Sequence, residues 1–266
     1  MVCGLALAGC SSGGDEPSGA APDKKAGATP TATPSPTAVV DSDPAALPRT
    51  AAQATALIRE VIPDPTAFGP GTVRPTPYET DPRRWAVLGD DCVWQQQPLP
   101  KDVLATLTRF YEIPASGAKG PVRLSAVVTV HRTPEQADWE NAKVLEEMMR
   151  CPAQRLRADE TITSLNDVPN SLGDSGNDYA DDTLTELGAY TASDVGGSHP
   201  YIWEQTRIGQ FTLAVSAKGA KGWTRTELFD RLRDPHSGMR LRLKTAIRKD
   251  APEPSEAGGS TKGGDR

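Results

Sequence analysis

Between Val122 and His131 the apolar residues Val122, Leu124, Ala126, Val128 and Val130 fall on one side of an extended chain, while Arg123, Ser125, Thr129 and His131 fall on the other with Val127 between them. A period of two reads as a strand with one face turned to a core. The next twenty residues are equally directive. Thr133 can cap a helix, Pro134 fits its first position and Gln136 can close the capping box. The helix is predicted to run to Arg150 and to end where Cys151-Pro152 begins. Ala137, Val144, Leu145, Met148 and Met149 would form its apolar stripe, with the methionines as core filler.

Other segments carry weaker versions of the same signals. Thr50 to Ile62 is predicted as a helix with Ala54, Leu57, Ile58 and Val61 on one face, stopped by Pro63. Trp85 to Leu88 reads as a strand leading to Asp90-Asp91-Cys92-Val93-Trp94, and Pro100 to Tyr111 as a helix with Val103, Leu104 and Leu107 inward. Residues 166 to 200 are loop-rich, with short strands at Tyr179 and Leu184 to Tyr190. His199 to Ile208 and Gln210 to Ala217 form a hairpin around Gly209, with Phe211, Leu213 and Val215 inward. Thr224-Arg225-Thr226-Glu227 is a second capping box, opening a helix with Leu228, Phe229 and Leu232 that Asp234-Pro235-His236-Ser237-Gly238 should break. Met239, Leu243, Ala246 and Ile247 fit a last helix, although Met239, Leu241 and Leu243 also fit a strand. The sum is an α+β domain over residues 50–250, an antiparallel sheet with about four helices packed on it.

The flanks are different in kind. Asp15 to Pro48 is Ala, Pro, Thr, Ser and Gly with almost no large apolar residue, and residues 251–266 are similarly poor, so neither can build a core. Residues 10–49 are read as an extended tether and 251–266 as a disordered tail. Leu7-Ala8-Gly9-Cys10 reads as a bacterial lipoprotein cleavage and lipidation signal, in which residues 1–9 would be removed and Cys10 would carry the lipid. Only nine residues without Lys or Arg precede that cysteine, which suggests a true start further upstream. With no apolar run of about 18 residues elsewhere, a palmitate-type lipid at Cys10 would be the membrane attachment. The net charge of −6 argues against nucleic acid as a partner.

Once Cys3 and Cys10 are set aside, Cys92 and Cys151 remain, and in an oxidising compartment they are expected to form a disulfide. Closing a loop of that length stabilises a fold by about 4 kcal/mol in a chain-entropy treatment. His131, His199 and His236 are too scattered for a metal motif, and no cofactor or metal is expected. Asp174, Asn177, Asp178, Asp181 and Asp182 depart from calcium-loop spacing and read as a solvated loop. Gly173-Asp174-Ser175-Gly176 looks like a serine-protease nucleophile loop, which makes a hydrolase using Ser175 with His131 or His199 the enzymatic alternative. The context of His131 lacks the residues usual around that family's histidine. Trp85, Trp94, Trp139, Trp203 and Trp223 could line a cleft, but core positions are the expectation.

Cys92-Val93-Trp94, the strand and capped helix ending at Cys151, Ser171-Leu172-Gly173-Asp174 and Arg207-Ile208-Gly209-Gln210, taken in order, resemble a family of actinobacterial extracytoplasmic sensor-type domains. These occur as lipoproteins and, in the PknH-like case, as the outer domain of membrane serine/threonine kinases. The resemblance implies an α+β fold with cysteine bridging, a cleft suspected of binding a ligand, and no catalytic residues to transfer. The expected protein is therefore a non-catalytic lipoprotein on the outer face of the cell membrane, binding a small envelope ligand or a partner protein. A passive wall-spacing lipoprotein is a further alternative, one that predicts no concave polar pocket.

Overall fold

The two faces foreseen for the Val122–His131 strand organise the whole fold. In the computed structural model, which describes residues 40–168 and 179–249, helix α1 (Ala51–Val61) and a 3-10 turn (Pro65–Phe68) precede a two-stranded hairpin of β1 (Arg84–Leu88) and β2 (Trp94–Pro98). Then come β3 (Val103–Ile113), β4 (Val122–His131), α2 (Pro134–Arg150), β5 (Gln154–Arg157), β6 (Glu160–Asp167), β7 (Asp182–Ala192), β8 (His199–Ile208), β9 (Phe211–Lys218) and α3 (Arg225–Ile247). The strands from β3 onward make one sheet in the order β3-β4-β9-β8-β7-β6-β5, antiparallel at every pairing. The described residues fall in one compact unit. The class is α+β.

On the apolar side, Leu124, Val128 and Val130 of β4 join Leu107 and Tyr111 of β3 and Phe211, Leu213 and Val215 of β9 in the main core. Two helices cover them. α1 contributes Ala54, Ile58 and Val61, and α3 contributes Leu228, Leu232, Met239, Leu243 and Ile247. Burial on this scale is the dominant stabilising term, at about 25 cal/mol per Å² of apolar area. The opposite side carries Thr106 of β3, Thr129 of β4, Gln205 of β8, Thr212 and Ser216 of β9 and Glu186 of β7, all largely buried although polar. That side faces α2 and the β1–β2 hairpin.

Several expectations need correction. Pro100 to Tyr111 is not a helix but leads into β3, where a register shift between Val103 and Ala105 buries both Val103 and Leu104. The bulge puts adjacent apolar residues inward, and that pair mimicked a helical stripe. The helix count is also lower: the described residues contain three α-helices, because α3 continues through Asp234-Pro235-His236-Ser237-Gly238. Proline removes one backbone donor and crowds the preceding turn. Here Pro235 and His236 are themselves buried between Leu232 and Met239, so packing on the sheet holds the helix together.

α2 differs inside its predicted limits. Thr133 does cap it, accepting from the Gln136 N–H, but Gln136 does not close the box and its Oε1 is buried without a hydrogen-bond partner among the described residues. The inward residues are Ala137, Asn141 and Glu147, while Met149 stays 78% exposed. Tyr179 is not in a strand, and the supposedly loop-rich stretch holds one long strand, β7. It extends the short strand expected at Leu184 to Tyr190 in both directions, with Gly188 near its middle. A Cβ there would lie 3.0 Å from the Thr163 carbonyl oxygen, so the glycine lets β7 sit against the irregular part of β6.

Candidate ligand-binding cleft

The hairpin owes its place to the cysteines. Cys92, in the turn between β1 and β2, is bonded to Cys151, the C-cap of α2, with Cα atoms 5.6 Å apart. Nearby, the Arg155 N–H donates to the Cys92 carbonyl at 2.9 Å, and the Trp94 indole N–H donates to Gln154 Oε1 at 2.8 Å. At the other end the Thr106 N–H donates to the Pro82 carbonyl at 3.3 Å. Fastened at both ends, the hairpin forms one wall over the polar sheet face and α2 another. Between them lies a cleft of about 330 Å³.

Its floor is built from short polar side chains that satisfy each other across strands. The Thr106 and Thr129 hydroxyls are 2.9 Å apart, and those of Ser125 and Ser216 are 2.7 Å apart. Such pairs are stable without a charge and leave little bulk above the strands. Trp85, Trp94, Tyr201 and Trp203 supply aromatic lining. The Trp203 Nε1 is buried and has no hydrogen-bond partner among the described residues.

Charge is distributed unevenly along the cleft. At one end the lining residue Lys218 donates at 3.0 Å to Glu160, which is not part of the lining and also accepts from Arg123 at 3.2 Å, while Arg123 donates to the Tyr190 hydroxyl at 2.5 Å. Burial pushes the Lys218 ammonium below its ordinary range, against the pull of Glu160. Toward the middle are two carboxyls, Glu147 on α2 and Glu186 on β7. Burial raises both: Glu147 is raised despite Lys143, whose Nζ lies 3.6 Å away, and Glu186 is pushed up to about 7, with Asp167 and Glu147 adding like-charge repulsion.

The histidines do other work. His131 Nε2 donates to Glu140 Oε2 at 2.6 Å, the same oxygen accepts from Thr212, and the His131 Nδ1 is buried without a partner among the described residues. Glu140 lines the cleft and His131 does not. His199 Nε2 lies 2.5 Å from the Gly196 carbonyl oxygen. His236 sits under the sheet beside Thr206 at 3.2 Å, on the side opposite the cleft, and burial pushes it down to about 3. Ser175 lies outside the described residues, as do Cys10, Gly173, Asp174, Asn177 and Asp178. Of the acidic run, Asp181 accepts from the Gly209 N–H at 2.6 Å and Asp182 from Asn141 at 2.9 Å. Both are structural acceptors. Among the described residues no group of His, Cys, Asp and Glu is placed to hold a metal ion.

The tryptophan expectation is corrected most sharply. Trp85, Trp94 and Trp203 line the cleft, Trp139 is 75% exposed on α2, and Trp223 packs partly buried against the core. Glu147, Glu186 and Gln205 were not foreseen as site residues. The available signals were a Glu about one turn beyond Val144 of an amphipathic helix, and a Glu between Leu184 and Leu187 of a strand.

No protein-family profile and no curated protein matches the chain. Among solved structures it is similar to the extracellular domain of PknH from Mycobacterium tuberculosis, at 9% identity and a TM-score of 0.45, covering 73% of this chain and 98% of that one. It is also similar to an uncharacterized protein of Mycobacterium smegmatis, the Rv0999 ortholog, at 13% identity and a TM-score of 0.37, covering 78% of this chain and all of that one. At these identities no residue role transfers. Among the described residues no helix is long and apolar enough to cross a membrane.

Proposed function

We propose that this chain is a non-catalytic extracytoplasmic lipoprotein, anchored through Cys10, whose cleft holds one small ligand of the cell envelope. The observation that carries the reading is that the polar face of the sheet is enclosed rather than packed: a disulfide-fastened hairpin and α2 stand over it and leave about 330 Å³ between indoles and buried polar side chains. That volume is at the small-molecule end of ligand pockets, roughly 300–1,000 Å³. A passive spacer has no use for such a space. Against the two histidines of the hydrolase alternative, one His131 nitrogen is taken by Glu140 and the other is buried away from the cleft, and the His199 Nε2 lies against the Val195 and Gly196 carbonyls. A general base has to present a nitrogen to its nucleophile.

The test is native mass spectrometry of the full chain after incubation with the fraction below about 1 kDa of an actinobacterial envelope extract, a cut that keeps drug-sized ligands. A retained adduct that disappears in Trp203→Ala is the expected result; no adduct, or one that survives the substitution, contradicts the cleft. Anchoring is tested separately. Labelled palmitate should enter the membrane-bound chain and be lost, together with membrane retention, in Cys10→Ala; continued retention contradicts the lipid anchor.

A further inference from the structure

Glu186 is the exception among the acidic groups in and beside the cleft. Glu160 is held by Lys218 and Arg123, Glu140 by His131 and Thr212, and Glu147 by Lys143. Glu186 is 7% exposed, lines the cleft and has no hydrogen-bond or ion-pair partner among the described residues. Its strongest electrostatic neighbours, Asp167 and Glu147, are acidic. A buried carboxylate is costly unless something pairs with it. Building one into a cavity wall, where none of the cleft's own cations, Arg84, Lys143, Arg157 and Lys218, forms an ion pair with it among the described residues, leaves that partner to be brought from outside.

The surroundings favour one kind of cation. In the β7–β8 register Glu186 stands directly opposite Trp203, with Tyr201 one pleat along β8, and side chains so placed are within reach of each other. Aromatic faces attract ammonium groups, most of all when water is excluded. A metal ion fits less well, because no third ligating side chain joins the two carboxyls among the described residues. An anion at this point would meet Glu147 and Glu186 together, while the cleft's cations are engaged elsewhere, Lys143 on Glu147, Arg157 and Lys218 on Glu160 and Arg84 on the Gln96 carbonyl. Building on the proposed ligand-binding cleft, we infer that the ligand carries an ammonium group that pairs with Glu186, near Glu147 and against the indole of Trp203.

Three probes with one ring and different head groups separate the possibilities: benzylamine, cationic at neutral pH, benzyl alcohol and benzoate. Calorimetric titration of the full chain should show benzylamine binding about tenfold or more tightly than the other two, the difference one charge-assisted hydrogen bond makes. Glu186→Gln should erase that preference through loss of benzylamine affinity, and Glu147→Gln should reduce it by a smaller factor. Equal affinity for all three, or a preference that survives Glu186→Gln, overturns the ammonium inference and leaves the cleft reading standing. Failure of all three to bind overturns the inference as well; the envelope adduct then decides the cleft reading independently.

Discussion

Replacing Cys92 and Cys151 together by alanine is expected to lower the unfolding free energy by about 4 kcal/mol and to free the β1–β2 hairpin from the sheet. The bond spans 59 residues, so its loss returns a long loop's worth of conformational freedom to the unfolded chain. Its local effect is larger than that figure suggests. Among the described residues the hairpin has few other ties to the rest of the fold at this end: the Trp94–Gln154 and Arg155–Cys92 hydrogen bonds, and Arg150, which donates to the Gly89 carbonyl at 3.2 Å and lies 4.0 Å from the exposed Asp90 carboxylate. β1 and β2 pair only with each other as strands, and β2 is exposed over most of its length. Urea titration should give the global loss. Hydrogen exchange should show the amides of β1 and β2 opening well before those of β4 and β9. A loss below about 1 kcal/mol, with hairpin amides as protected as before, would mean that the hairpin is held by packing and not by the bond.

Glu186→Gln is expected to stabilise the protein, by on the order of 3 kcal/mol, above neutral pH. The sign depends on where the proton is held. The carboxyl has an ordinary value of 4.5 and is pushed up to about 7 in the folded chain, first by burial and then by Asp167 and Glu147. Between those values the folded state binds the proton that the unfolded state has released. The advantage of a neutral Glu186 is therefore complete below 4.5 and lost as pH rises through about 7. Glutamine keeps the neutral shape at every pH, so variant and wild type should have similar urea midpoints near about pH 4 and separate progressively toward about pH 8.5. A gap that is widest in acid, or no gap at all, would remove Glu186 from its buried, unpaired setting. A variant that is more stable yet binds benzylamine poorly would mark a residue retained for its site at a cost to the fold.

What could be read from the residues, and what could not, divides along physical lines. β4, the β8–β9 hairpin, α1 and the Thr224 cap rest on signals contained within a few neighbouring residues, a period of two or a side chain closing on its own turn. The structure repeats them nearly residue for residue. β3 was lost to a helix because a bulge at Leu104 depends on pairing with β4, which no local pattern records. α3 was cut at Pro235 because propensity counts the missing donor, whereas the sheet underneath supplies the compensation.

The cleft was the least legible part. Trp203 looks the same in sequence whether its face of β8 meets a core or a cavity. Only the register between β7 and β8 sets it against Glu186, and only the Cys92–Cys151 bond together with the hairpin's long-range hydrogen bonds fixes what stands above them. The cysteine pair itself could be anticipated by counting. Its consequence, a wall built over the sheet, could not.

The most direct test of the central claim is a crystal structure of the full chain grown with benzylamine. The account predicts the ring inside the cleft beside Trp203, with its nitrogen within about 3 Å of a Glu186 carboxylate oxygen. An empty cleft at saturating benzylamine, or a molecule found only against the exposed Trp139 of α2, would contradict it.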